Sequence, residues 1–216
     1  MKSKLIYLRF KTLWVKYGQY INDRTKSEKV NRSGSEIWKD KFFTQILKFV
    51  LPTGIVALIA STAFEFSNYQ YITAICDTIA FFSIPAVTLN RNVKIKTKKY
   101  FGMAVLVTFS IMKMVTLHSL MIGAIYLLVL SVITTLLFSK RAAYLSVALN
   151  ALICIGFTIL QMDGFPMHKI NVSNQNISYR WMLFTVNIIF VNLIIVAVIV
   201  HITEGFESII EKSKKL

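Results

Sequence analysis

At 216 residues the chain is long enough for one or two soluble domains. However, 55% hydrophobic residues, 16% charged residues and a mean hydropathy of +0.58 leave too little polar surface for that class. The composition points instead to an all-α polytopic membrane protein. A formal net charge of +15 would suit nucleic acid, yet the basic residues flank apolar runs and do not share a soluble face, so no nucleic-acid partner is expected.

Residues 1–45 form a basic N-terminal segment. In "LIYLRFKTLWVKYGQYI", Ile6, Phe10, Leu13, Tyr17 and Ile21 recur at helical spacing among Lys and Arg. The pattern fits an amphipathic helix lying in the plane of the cytoplasmic leaflet, and equally a partly disordered basic arm. No apolar segment with a small-residue cleavage site follows within signal-peptide distance, so no cleaved signal is expected. "SGSE" at 33–36 has the form of a capping box that would start a helix leading into the first span.

Six stretches then approach the ~20 apolar residues a span requires. They cover about 46–65, 69–89, 100–117, 119–138, 142–161 and 181–201. The third and fourth are nearly continuous. A single helix from Tyr100 to Phe138 would be about 58 Å long, nearly twice the hydrocarbon thickness, so a turn near His118 is predicted. Lys and Arg number twelve in residues 1–48, five in 90–99, two at 140–141 and three after His201, which is 22 of the 25. With six spans all of these segments lie on one side, whereas five spans would split them. The positive-inside rule then predicts a six-transmembrane-helix bundle (46–201) with cytoplasmic N- and C-termini and the 162–180 loop outside. The bilayer's anionic headgroups at the cytoplasmic face are the expected lipid partner.

Motifs for catalysis are missing: there is no H-E-x-x-H, Walker A loop, G-x-G-x-x-G, G-x-S-x-G or paired-cysteine metal pattern. No enzyme activity, cofactor or metal site is expected. His118, His168 and His201 are scattered, and Cys76 and Cys154 fall inside apolar runs as small buried thiols. The outer loop "QMDGFPMHKINVSNQNISYR" carries the turn signal "DGFP" and a polar, flexible "NVSNQNIS".

Intramembrane polar residues are the remaining candidates. Asp77 and Glu65 are the only acidic residues within the spans as drawn. An ionised carboxylate at a helix centre costs roughly 2.5–3.5 kcal/mol on insertion scales, so Asp77 needs compensation. Thr73, Asp77 and Thr88 share a helix face that should turn inward. Two readings of Asp77 stand: an ion pair with Lys113 of the third span, or a protonated carboxyl bonded to Ser, Thr or Asn with Lys113 snorkelling outward. Asn150 and Gln161 share a face of the fifth span near Ser146 and Cys154. Thr185 and Asn192 share one in the sixth, Asn187 lies elsewhere on that helix, and Ser131, Thr134 and Thr135 cluster in the fourth. Interhelical hydrogen bonding accounts for such stripes, with a polar ligand cavity as the alternative.

The segments "ICDTIAFFSI", "LHSLMIGAIYLL", "KRAAYLSVALNALICIG" and "VNIIFVNLIIVAVIVHITEGFESIIEKSKKL" resemble, in order and spacing, the N-terminal multispan membrane sensor region of bacterial PAS-linked sensor histidine kinases. The resemblance covers residues 42–216 and excludes the kinase output domains, for neither a phosphoacceptor histidine box nor ATP-binding glycine motifs occur. By that resemblance Asp77, Asn150, Asn187 and Asn192 match marked positions of the family. It implies a multi-pass protein of the bacterial cytoplasmic membrane that belongs to a two-component system.

The closing stretch 202–216 completes the expectation. Ile202, Phe206 and Ile209 step along one helix face, and Lys212, Lys214 and Lys215 suit the negative end of a helix dipole. This is the start of a cytoplasmic linker helix of the kind that pairs in a homodimer. The expected function is a sensory input module that relays an external or intramembrane cue through the sixth span, with a cytoplasmic kinase or regulator as partner. The alternative is a small multispan transporter or lipid-handling protein, which would call for inverted-repeat symmetry; none is visible.

Overall fold

The computed structural model describes residues 2–25, 34–117, 120–162 and 174–213. Among these there are seven helices and no strand: α1 (Lys2–Thr25), α2 (Gly34–Ser67), α3 (Tyr71–Thr88), α4 (Ile95–Thr116), α5 (Leu120–Leu137), α6 (Lys140–Met162) and α7 (Asn174–Ser213). Six of them, α2 to α7, are long and apolar enough to cross a membrane. The fold is all-α and polytopic, as composition and apolar run length require.

Two compact units divide the chain, Met1–Gly102 and Met103–Leu216. In the first, α2 runs unbroken for 34 residues, so the point at 45 where basic segment meets apolar run lies inside a helix. Its start at Gly34 falls within the "SGSE" stretch, while the capping residue itself lies outside the described residues. Pro52 sits in the helix interior. Thr53 donates back to the Phe49 carbonyl at 2.7 Å, a local side-chain bond of the sort that lets apolar helices tolerate proline. Gly54 meets the Phe81 ring of α3, and any Cβ there would overlap it. Asn68–Gln70 turn the chain from α2 to α3: Tyr69 takes a left-handed φ of 59°, and Gln70 N–H donates to the Glu65 carbonyl at 2.9 Å. Tyr71–Thr88 then buries Thr73, Asp77 and Thr88, the face picked out by their spacing.

The N-terminal helix docks through its C-terminal end. Ile21 is fully buried, Thr44 donates to Thr25 across α2 and α1 at 2.9 Å, and Lys99 of α4 pairs with Asp40 of α2 at 2.7 Å. Of the apolar positions expected on one face, Leu13 is exposed whereas Ile21 is buried; the side chains of Ile6 and Phe10 lie outside the described residues.

In the second unit α5 is the central element, with Leu120, Ala124, Leu127 and Leu130 buried against Met114, Cys154 and Phe157. Gly123 sets the closest approach. A Cβ there would overlap the Met114 side chain and lie 2.7 Å from the Ser110 carbonyl oxygen, so α4 and α5 touch backbone to backbone. One turn away Phe109 and Tyr126 pack edge to face at 4.9 Å. The predicted turn at His118 lies outside the described residues, although α4 ends at Thr116 and α5 begins at Leu120. Between α5 and α6 the connection is two residues, with Ser139 Oγ accepting from Ala142 N–H at 3.4 Å as an N-cap. A second apolar cluster, Ala143, Val147, Val196 and Val200, joins α6 to α7. At 40 residues α7 is about 60 Å long, twice the span requirement. It starts at Asn174, within the stretch the sequence reads as a flexible loop; residues 163–173, His168 among them, lie outside the described residues.

Candidate functional site: polar groups inside the apolar helices

The second unit holds a hydrogen-bonded seam among α5, α6 and α7. Asn150 of α6 is 3% exposed and donates twice from Nδ2, to the Leu127 carbonyl at 2.6 Å and to Ser131 Oγ at 2.7 Å. The carbonyl partner settles the amide orientation, because a flipped amide would set oxygen against oxygen. Ser146 lies 3.3 Å from the same Ser131 hydroxyl and donates to the Ala143 carbonyl at 2.7 Å. Farther along, Thr158 of α6 and Thr185 of α7 share a hydrogen bond of 2.7 Å. The seam is built from short serine, threonine and asparagine side chains, and apolar surroundings leave the hydroxyls no water to choose instead.

The Thr158–Thr185 bond also fixes the antiparallel register of α6 and α7. Stepping eight residues along each helix, about 12 Å, brings Asn150 level with Leu193, so Asn150 and Asn192 occupy one depth of the bundle. Both side chains are buried, and in each the Oδ1 atom has no hydrogen-bond partner. Thr134 and Thr135 bond back to their own helix at the Leu130 and Ser131 carbonyls, each at 2.7 Å, and Thr134 Oγ1 also lies 4.0 Å from Met103 Sδ of α4. Asn187 behaves differently from its neighbours: it lies on the exposed face of α7, away from the seam.

A separate polar group occupies the first unit. Asp77 of α3 and Glu65 of α2 are 3% and 2% exposed. Ser61 Oγ lies 3.0 Å from Asp77 Oδ2 and 3.3 Å from Glu65 Oε1, so one hydroxyl touches two carboxyl groups. A hydroxyl has one proton to give, so it serves the two oxygens unequally. Glu65 stands out in the sequence as the other acidic residue within the spans, whereas Ser61 does not. Their i, i+4 spacing in an apolar run was the available signal, since it sets both on one helix face. Lys113 belongs to the second unit, where it is 4% exposed and its Nζ stands 5.3 Å from the Phe109 ring centroid, one turn back on the same helix. Asp77 and Lys113 are thus both buried, each in its own unit.

Beyond the span, Ile202, Phe206 and Ile209 are 50%, 54% and 64% exposed on the continuation of α7. Lys140 of α6 pairs with Glu204 at 2.8 Å on the surface of this extension. Among the described residues no group of three His, Cys, Asp or Glu is placed to hold a metal ion.

Comparison with curated proteins and with solved structures finds no match. A family model does match, MASE11, over residues 37–206, from the first turns of α2 to the extension of α7. With six apolar helices and this match over most of its length, the chain is a multi-pass membrane protein and belongs to the MASE11 family of membrane-associated sensor domains.

Proposed function

We propose that this chain is the sensory input module of a signal-transduction protein, in which α7 carries a change in the α5–α6–α7 seam to its own far end. The observation that carries this reading is the continuity of α7. One helix holds Thr185 and Asn192 in the buried seam, and the same helix extends past His201 with Ile202, Phe206 and Ile209 exposed. A rigid helix transmits rotation or translation along its axis, and two packings of a polar seam supply the discrete states such a relay needs. Both termini are cytoplasmic in this reading, as the basic segments favour, and the extension meets a cytoplasmic kinase or regulator.

The exposed face of α7 supports a second copy of the chain as neighbour. Asn187, Val191, Ile194, Val198, Ile202, Gly205 and Ile209 are all exposed and follow one stripe. Asn187, Val198 and Ile209 are related by an 11-residue repeat, which keeps a seam on one side of a nearly straight helix. Lipid covers the upper part of such a stripe, but not the part beyond the apolar segment. Two parallel copies would also give the exposed Asn187 amide a partner of its own kind inside the bilayer.

Cysteine substitution at Phe206 or Ile209, followed by oxidation in native membranes, is expected to yield crosslinked dimers, and no crosslink at either position refutes the paired relay. Reporter fusions at the two ends of the chain are expected to report the same side of the membrane. Opposite sides would remove the cytoplasmic extension and the relay with it.

A further inference from the structure

The C-terminal end of α1 brings together two cationic side chains whose N–H donors are only partly filled. Lys98 of α4 is 2% exposed and its Nζ donates to the Arg24 carbonyl at 2.8 Å. That carbonyl is the one acceptor its ammonium has among the described residues, although an ammonium carries three donors. Arg24 stacks over the Tyr20 ring at 5.1 Å, and its Nε is buried with no hydrogen-bond partner. Leaving buried donors of charged groups unfilled is costly.

Capping explains part of this arrangement. A lysine at the last carbonyls of a helix is favoured by the helix dipole, which accounts for the single bond that Lys98 makes. It also draws two cations together and supplies no acceptor for the remaining N–H groups. Asp40 is taken by Lys99 at 2.7 Å. Exposed Arg91, Lys94 and Lys96 add charge of the same sign between α3 and the first turn of α4. The chemical complement of a guanidinium and an ammonium with open donors is a phosphate oxyanion.

The rest of α1 indicates where that oxyanion comes from. Tyr7, Leu13, Trp14 and Tyr20 are exposed along the helix, interleaved with exposed Lys11 and Lys16. Exposed aromatics with basic residues between them are the composition of a helix at a membrane surface. We propose that Arg24 and Lys98 form a binding site for a phosphate oxyanion, supplied by an anionic phospholipid headgroup, which pins the end of α1 to the start of α4. The site stands independently of the relay through α7.

The test uses the full chain in a neutral detergent, with the thermal unfolding midpoint followed as phosphatidylglycerol, phosphatidylcholine or inorganic phosphate is added. Phosphatidylglycerol is expected to raise the midpoint in a saturable way and phosphatidylcholine to leave it unchanged. Arg24→Gln is expected to weaken the apparent phosphatidylglycerol affinity by about fivefold or more, since it removes a charge-assisted contact. Lys16→Gln, with equal loss of charge at an exposed position, should change it less than about twofold. Arg24→Lys keeps the charge but loses the planar fork, and is expected to fall between them even if the glutamine variant folds poorly. Equal shifts with the two lipids, or equal effects of Arg24→Gln and Lys16→Gln, overturn the site. Inorganic phosphate matching phosphatidylglycerol at equal concentration overturns the lipid source and assigns the site to free phosphate.

Discussion

Replacing Asn150 tests whether the α5–α6 seam is held by a directed hydrogen bond or by packing alone. The Nδ2 donor reaches the Leu127 carbonyl at 2.6 Å and Ser131 Oγ at 2.7 Å, while Oδ1 is buried without a partner. Hydrogen bonds between membrane helices contribute about 0.6 kcal/mol on average and up to about 1.7, so the two together are worth about 1–3 kcal/mol. Asn150→Leu forfeits both but also removes the unfilled carbonyl, whose burial costs about 1–3 kcal/mol. Leu127 keeps its own helical bond, because an α-helical carbonyl already accepts from the N–H four residues on. The net loss for Asn150→Leu is therefore small, about 0–2 kcal/mol. Asn150→Asp has nearly the same shape and the opposite outcome. One of its oxygens falls where Nδ2 now donates, 2.6 Å from a carbonyl oxygen, so the carboxyl must either protonate or move. The expected loss is about 3 kcal/mol or more. Reversible unfolding in mixed micelles, or steric trapping in bicelles, measures both variants on one scale. An aspartate variant as stable as the parent, or a leucine variant that loses more than the aspartate one, refutes this account of the seam.

The Thr158–Thr185 bond makes a second prediction: Thr158→Val and Thr185→Val should each cost about 0.6–1.7 kcal/mol, and the double variant little more than either alone. Strictly additive losses in that cycle would show that the hydroxyls do not depend on each other. Gly123→Val places its Cβ against the Ser110 carbonyl and Met114, and is expected to destabilise by about 1–3 kcal/mol. Gly156→Ala in α6 meets nothing within 4 Å and should be neutral or slightly stabilising in the same unfolding assay. Tyr17 has a buried hydroxyl without a partner, and burial raises its ionisation above the ordinary value of 10.0. A raised acid of this kind contributes stability that is present below its unfolded value and is lost as pH rises through the folded one. Tyr17→Phe removes this unfilled hydroxyl, so it should hold or raise the midpoint near neutral pH and lessen its fall above pH ~10. An identical alkaline decline in both proteins contradicts this.

Much of the fold follows from local properties of the chain. Each of the six spans is an apolar run of adequate length, and a run's length against the hydrocarbon thickness is independent of what it packs against. Helical phase is local as well, which is why Thr73, Asp77 and Thr88 emerge together on the buried face of α3. The start of α2 is local too: the helix begins at Gly34, inside the "SGSE" stretch expected to open a helix leading into the first span. At 174–180 the polar composition reads as loop, yet these residues are the first turns of α7, because a helix extends at little cost from an adjoining helical segment. The sequence falls short where a property depends on the neighbour.

Asn150, Asn187 and Asn192 make the division plain. In the sequence they are three asparagines in apolar runs, each needing a polar partner, and phase alone separates Asn187 from Asn192 on their shared helix. Only the packing of α5, α6 and α7 places Asn150 on Ser131 and Leu127, sets Asn192 at the same depth and leaves Asn187 on the outside. Ser61 and Glu65 become neighbours of Asp77 for the same reason, through the approach of α2 and α3 that Gly54 and the turn at Tyr69 permit. Which stretches enter the bilayer is decided by transfer from water to hydrocarbon, a sum over each segment by itself. Which polar groups meet inside is decided by pairwise geometry between helices distant in sequence, and that exists only once they have packed.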